Sequence, residues 1–396
     1  MMNQREIFLR HVAQTSPAPL GLEISRASGV RLYGKNGEEY IDLIGGISVA
    51  NMGHGHPAII AAIKEQADAY LHIMIYGEFI ESPQVQYAQL LCSHLPASLD
   101  SVYFTNSGAE AVEGAMKLAK RVSNRTQVIA FNRSYHGSTQ GALSIIGDEY
   151  WRNAYRPLLP DVMHLEYNSF ESLDEITGRT ACVFAETVQA EAGVRAPSVE
   201  WMKALRKKCD DTGTLLVLDE IQTGFGRTGT LWGFTRFGIV PDILLLGKAL
   251  GGGLPMGAFI TSREMMFTLA ENPVLGHITT FGGHPLCCAA GHAAMQAMLS
   301  EKIVDGVEAK GALLEGLLNH PMILEKTRCG LWMALRFDSF ETNKKVIDRC
   351  IEKGVLTDWF LFASDSLRIS PPLVIGEDDL QKVAGIILSV LDELTQ

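Results

Sequence analysis

Apolar and polar positions along the middle of the chain alternate between two rhythms. Short runs rich in β-branched and large apolar residues read as strands: Ser101–Thr105 (SVYFT), Gln127–Phe131 (QVIAF), Ala181–Glu186 (ACVFAE), Leu215–Asp219 (LLVLD), Ile243–Leu246 and Gly257–Ile260. Between them lie stretches with helical spacing, from Gly108 to about Val122 and over Trp201–Asp211. Strands alternating with helices predict an α/β fold, a mostly parallel sheet covered on both faces. Such a sheet binds ligands beyond the carboxyl ends of its strands. The C-terminal stretch has another rhythm. Helical periodicity near Glu308–Leu317 and Asp378–Leu394 flanks the strand-like Leu331–Phe337, which predicts a smaller α+β domain. Val30–Tyr33 and Tyr40–Leu43 read as a hairpin packing with it. The expected division is 1–50 for this N-terminal segment, 51–290 for the large domain and 291–396 for the small one.

Composition narrows the class of partner. The 396 residues carry a formal net charge of −11, with 47% hydrophobic and 20% charged residues. Nucleic acids and anionic membranes are held mainly by Lys and Arg, so neither is an expected partner. A local basic pocket for a phosphate or carboxylate remains compatible with that balance. No apolar run approaches the roughly 18 residues that span a bilayer. The N-terminus lacks the apolar core of a secretory signal. A cytoplasmic location is expected. The seven cysteines are odd in number and include no CxxC pair, so they read as reduced and mostly buried.

Chemistry-bearing residues follow the strands. Ser107-Gly108-Ala109-Glu110 lies between a strand and a helix, where free N–H groups and the helix dipole favour an anion. The same four residues also read as a plain capping box. Asp219 ends an apolar strand, which places a carboxylate at the mouth of the sheet. Beside a pyridine nitrogen it would keep that nitrogen protonated; alone it also reads as a solvated strand-end acid. Lys248 follows ILLLG, where desolvation would lower its pKa as a Schiff-base lysine needs; alone it also reads as a surface lysine. A P-loop is excluded because Asp242 and Ala249 occupy its required glycine and hydroxyl positions. His54 and His56 (GHGHP) have no further His/Cys cluster at ligand spacing, so they read as a structural turn and no metal is expected. There is no GxSxG elbow.

In chain order, Ser107-Gly108, Tyr135-His136-Gly137, Asp219, Lys248, Thr280-Phe281-Gly282-Gly283 and Arg368 resemble the class III (ω-amino) aminotransferases of pyridoxal-phosphate fold type I. The resemblance runs from about Leu32 to the C-terminus. DEIQTGFGRTG (Asp219–Gly229) and its spacing to Lys248 carry most of it. It implies a large domain on a mostly parallel, seven-stranded-type sheet sandwiched by helices, with a smaller α+β domain. It implies pyridoxal 5′-phosphate as cofactor, bound by Lys248 as a Schiff base. Asp219 would pair with the pyridinium nitrogen, and Gln222 would lie near the ring's phenolic oxygen. Tyr135 would stack on the ring with His136 beside it, and Glu186 would belong to the same cofactor site. Ser107, Gly108 and Ala109 would cradle the phosphate. Thr280 would reach it from the other subunit, which makes the expected assembly a homodimer with shared active sites. Arg368 would fork onto the carboxylate of a 2-oxo acid, and Glu191 would pair with Arg368 when the amino donor has no α-carboxylate.

The chain departs from the family pattern in two places. EPxQGE is here Glu186-Thr187-Val188-Gln189-Ala190-Glu191, and Ser138 follows Tyr135-His136-Gly137 where acetylornithine, ornithine and 4-aminobutyrate aminotransferases commonly have Arg. Ser138 counts against those three donors, although Arg152 or another residue could supply the missing charge. Gly141–Ser144 leading to Arg156–Pro160, and Asn272-Pro273 leading to His277–Thr280, look more like putrescine aminotransferases. The resulting expectation is a transaminase that moves an amino group from an ω-amine donor, a diamine or ω-amino acid, to an α-keto acid such as 2-oxoglutarate. The alternatives are an acetylornithine or ornithine aminotransferase, or an aminomutase or decarboxylase on the same scaffold.

Overall fold

A computed structural model describes residues 3–395; Met1, Met2 and Gln396, at the outer ends of the first and last expected segments, lie outside the described residues. The first strands, β1 (Ile24–Ser28), β2 (Arg31–Gly34) and β3 (Glu39–Asp42), form an antiparallel meander that contains the expected hairpin.

The large sheet has seven strands: β4 (Ser101–Thr105), β5 (Gln127–Phe131), β6 (Val162–Leu165), β7 (Thr180–Glu186), β8 (Leu215–Asp219), β9 (Ile243–Gly247) and β10 (Gly257–Thr261). Their order is β4-β10-β9-β8-β7-β5-β6. The pairs from β9 through β6 are parallel, while β10 runs antiparallel to both neighbours. A parallel return needs a crossover of a dozen or more residues. The chain leaves β9 at Gly247 and enters β10 at Gly257, too soon for a covering helix, so β10 turns back against β9. Every residue of β5, β7 and β9 is buried, which explains why these strands are continuous apolar runs.

The helix Gly108–Ser123 lies on β9 and β10 through small residues. At Gly114 a Cβ would stand 2.4 Å from the Phe259 ring, so only glycine permits this approach.

In the C-terminal part, β11 (Glu325–Arg328) and β12 (Met333–Arg336) belong to a second four-stranded sheet. The next strand, β13 (Val355–Leu356), pairs in parallel with β3. The chain then returns through β14 (Trp359–Phe360) and β15 (Ala363–Ile369), which complete the sheet in the order β11-β12-β15-β14. The helix Glu377–Thr395 buries Leu380, Val383, Ile387, Val390 and Leu391 against the helices Val307–Leu317 and Phe340–Glu352. Arg227, from the GFGRTG stretch, clasps three segments. Its guanidinium donates to the carbonyls of Leu331 and Pro371 and to Oδ1 of Asn51.

The seven cysteines are all free, five of them buried and Cys92 and Cys287 partly so. Among the described residues no helix is long and apolar enough to cross a membrane.

Candidate active site

The carboxyl ends of the parallel strands converge on one cleft of about 310 Å³. Glu186 ends β7 and Asp219 ends β8, and the two are register partners. Lys248 follows β9, Tyr135 and His136 follow β5, and Gly108 opens the helix after β4. The cleft is lined by Gly108, Ala109, Tyr135, His136, Glu186, Asp219, Gln222 and Lys248 among others. Eight residues expected from widely separated motifs therefore meet in one place.

At one end the helix begins. Ser107 caps it, its Oγ accepting from the Glu110 N–H at 3.2 Å. The expected capping box is only half made, because the Glu110 carboxylate accepts from the Asn106 backbone N–H at 2.9 Å instead of reaching Ser107. Gly108 and Ala109 face the cleft with N–H groups that no helix can satisfy from within. A Cβ on Gly108 would stand 2.7 Å from Ile221 Cδ1, so the bare backbone is what the packing admits. Ser107 sits behind this lining at the cap.

At the other end Asp219 is 5% exposed. Its Oδ2 lies 2.7 Å from Nδ1 of His136, and its Oδ1 accepts from the Ile221 N–H at 2.9 Å. Burial opposes charging of the His136 ring, but the hydrogen bond and charge of Asp219 outweigh it and raise the imidazole pKa. The buried Nε2 of His136 has no protein partner. Glu186 accepts from the Tyr135 and Ala190 N–H groups at 3.0 and 2.8 Å, and burial pushes its carboxyl up to about 7.

Between these ends stands Lys248. Its backbone has φ +50°, a left-handed conformation that costs a side-chain-bearing residue roughly 1–2 kcal/mol. Its amine donates to Oε1 of Gln222. Desolvation lowers the Lys248 amine to about 8, against the opposing pull of Glu191 and Asp219. An anion cradle, a carboxylate suited to a protonated ring nitrogen and a depressed amine form a donor set that fits pyridoxal phosphate.

Behind the cleft, Arg368 on β15 forks onto Glu191. Nη1 reaches Oε1 at 3.0 Å and Nη2 reaches Oε2 at 2.9 Å, with the arginine 2% and the glutamate 5% exposed. Burial works to raise the Glu191 carboxyl, but the charge and hydrogen bonds of Arg368 hold it below the usual range.

Not every expected residue joins this group. Thr280 is exposed and outside the cleft of its own chain. Arg152 is engaged by Glu149, the Ser144 carbonyl and the His164 ring and does not line the cleft. His54 and His56 act as turn and surface pairs, with Asp42 at 2.8 Å and Glu301 at 3.1 Å. Ile221 and Thr223 were not singled out, though they flank Gln222 in the DEIQT motif and line the cleft with it.

Residues 12–391 match the family pattern described as aminotransferase class-III. The chain belongs to the class-III aminotransferases. It is a pyridoxal-phosphate-dependent transferase of amino groups. An acetylornithine aminotransferase of Methanopyrus kandleri is 39% identical over 396 residues, covering 98% of this chain and 99% of its own. One from Caldanaerobacter subterraneus is 34% identical, covering 93% and 94%. Among solved structures, the ornithine aminotransferase of Toxoplasma gondii superposes with a TM-score of 0.92 at 30% identity, covering 100% of this chain and 96% of that one. An (S)-enantioselective ω-transaminase from Thermomicrobium roseum gives 0.92 at 26% identity, with full coverage of both.

Proposed function

We propose that this aminotransferase takes the terminal amine of an acetylornithine- or ornithine-like donor and delivers it to a 2-oxo acid such as 2-oxoglutarate. The names of its relatives support that donor class over the diamine expected from Ser138. The observation that carries the two-substrate reading is the buried fork of Arg368 on Glu191, whose charges both reach Lys248. A guanidinium so held is neutralised while a donor without a nearby carboxylate is bound. Released by Glu191, it offers a bidentate site to an incoming carboxylate.

In this reading Lys248 would hold the cofactor through its aldehyde group, Asp219 would pair with its ring nitrogen and the Gly108–Ala109 N–H groups would take its phosphate. Bound there, pyridoxal phosphate supplies the electron sink that lets a C–H bond next to the amine ionise. Once the donor's amine has taken its place at the cofactor's aldehyde group, the freed Lys248 Nζ would remove and return that proton, and its depressed pKa keeps part of the free amine neutral near pH 8. Asp219, braced by His136 and the Ile221 N–H, holds a proton on the ring nitrogen. Glu186 fixes the Tyr135 backbone, and Gln222 orients the Lys248 amine. Thr280 serves the active site of a second copy. Its exposure beside Val274, Leu275, Ile278 and Phe281, all exposed apolar residues, supports a homodimer covering this face.

A second donor reading has its own observation. Among the described residues lining the cleft, Lys248 is the only lysine or arginine, and His136, which can also charge, is paired with Asp219. A carboxylate on the donor would enter beside Glu186 and Asp219 uncompensated, which favours a diamine such as putrescine. Half-reaction spectroscopy separates the two. The cofactor-loaded enzyme is mixed with N-acetylornithine, ornithine, putrescine or 4-aminobutyrate, and loss of the cofactor's visible band is timed. N-acetylornithine or ornithine is expected fastest, with the band restored by 2-oxoglutarate. Putrescine as the fastest donor would reverse the assignment.

A further inference from the structure

The guanidinium of Arg368 is held from two sides, and the two sides differ in kind. Glu191 occupies the Nη1–Nη2 edge. It stands in a loop closed by the paired backbones of Gln189 and Arg195 and by the Val194 N–H on the Ala190 carbonyl; its own carbonyl accepts from the Phe362 N–H and its carboxylate from the Leu361 N–H, each at 2.9 Å. The opposite side is built into a sheet. Asp358 accepts from Arg368 Nε through Oδ1 at 2.8 Å and from the Arg368 backbone N–H through its carbonyl at 2.9 Å. The Trp359 carbonyl accepts from Nη2 at 2.9 Å, and the Phe360 ring lies 4.4 Å from the guanidinium carbon. Asp358 itself has little freedom. It lies between β13, which pairs with β3, and β14, which pairs with β15, the strand that carries Arg368.

The division of nitrogens matters. An incoming carboxylate that displaces Glu191 takes the Nη1–Nη2 edge, which leaves Nε unused. A guanidinium released on that edge keeps the Trp359 carbonyl on Nη2 and the Phe360 ring at its face, but without a partner on Nε it can tilt about its last bonds. We propose that Asp358 is the positioning residue for the 2-oxo acid half of the reaction: it anchors Arg368 through Nε while Glu191 gives way to the substrate carboxylate. The asymmetry has a direct consequence. With a donor bound, Glu191 still grips the fork, so loss of the Asp358 side chain leaves Arg368 in place. With a 2-oxo acid bound, Asp358 supplies the only side-chain hydrogen bond that keeps the plane of the guanidinium set for two-point contact.

This inference rests on Arg368 being the carboxylate site, so the test includes that residue. Donor and acceptor half-reactions are followed separately on cofactor-loaded wild type, Asp358→Ala, Asp358→Asn and Arg368→Ala. Asp358→Ala is expected to raise the 2-oxoglutarate concentration for half-maximal rate about tenfold or more, the scale of one hydrogen bond to a charged group. Its donor half-reaction is expected to stay within about twofold of wild type. Asp358→Asn keeps an oxygen acceptor for Nε and is expected to recover most of the acceptor affinity. Equal losses in both half-reactions, no loss at all, or an Asn variant as impaired as the Ala variant would each overturn the role of Asp358. Normal 2-oxoglutarate binding by Arg368→Ala would instead remove the carboxylate site itself, an outcome distinguishable from failure of the anchor.

Discussion

Nδ1 of His136 and Oδ2 of Asp219 stand 2.7 Å apart with side chains 0% and 5% exposed. The histidine charges more readily here than in water, because the partner carboxylate outweighs burial. A group whose folded pKa is raised stabilises the fold fully below its unfolded value, near 6.5, and loses that contribution as pH climbs through the raised one. His136→Gln cannot charge. Its melting temperature as apoprotein is therefore expected to fall further below wild type at pH 6 than at pH 9. A constant gap across that range would show that the pair does not titrate on folding. For the chemistry, Asp219→Asn should slow the donor half-reaction on the order of 10²–10³-fold, the scale of losing one aligned electrostatic partner.

Lys248 offers a second pH dependence. Its amine is lowered to about 8 by desolvation. Only the neutral amine attacks an aldehyde, so capture of pyridoxal phosphate by the apoprotein should accelerate with a midpoint near pH 8 and level off above it. An ordinary lysine would keep accelerating through about pH 10.4. Rapid-mixing absorbance between pH 6.5 and 10 reads the midpoint directly. Borohydride trapping followed by peptide mass analysis should place the label on Lys248, and Lys248→Ala should take none.

The helix end that faces the cleft is shaped from outside by Gly257. A Cβ there would stand 2.1 Å from the Ser107 carbonyl oxygen, a backbone atom with no rotamer to escape into. Gly257→Ala must push the Ser107–Gly108 turn, which predicts a loss of about 1–3 kcal/mol in stability and weaker cofactor binding. Gly376→Ala serves as control, since nothing lies within 4 Å of its added Cβ. Thermal melts and cofactor titrations of the two variants should diverge; indistinguishable behaviour would mean the turn absorbs the methyl.

What was legible in the sequence follows from where the signal lies. Buried parallel strands are apolar runs with sharp ends, so β5 and β8 and the acid ending β8 could be placed to the residue. The edge strand β6 was missed because His164 interrupts a four-residue run. The reversed direction of β10 depends on a short connection and not on composition. Arg368 could be linked to Glu191 through the family pattern alone, as the pairing joins residues far apart in the chain. Asp358 gave no signal at all: it lies between two two-residue strands, and only the pairing of β14 with β15 brings it to Arg368. Donor choice was the least legible property, because the absence of an arginine at Ser138 says nothing about what replaces it.

Ser138 makes that last question testable. It is exposed at the cleft, with its Oγ 3.1 Å from the Tyr135 hydroxyl. The carboxylates of Glu186 and Asp219 face the same space, where among the described lining residues Lys248 is the only lysine or arginine and His136 is taken up by Asp219. A guanidinium introduced there would meet a donor carboxylate with two-point geometry, worth about tenfold or more in affinity. Ser138→Arg is therefore expected to raise kcat/KM for N-acetylornithine by at least about tenfold and to lower it for putrescine, a dication repelled by the new charge. Single-turnover rates of the donor half-reaction measure both. If N-acetylornithine gains nothing, its carboxylate is already paired in the wild-type enzyme. The cation must then come from outside this cleft lining, with the second copy that covers the face around Thr280 as the place to look.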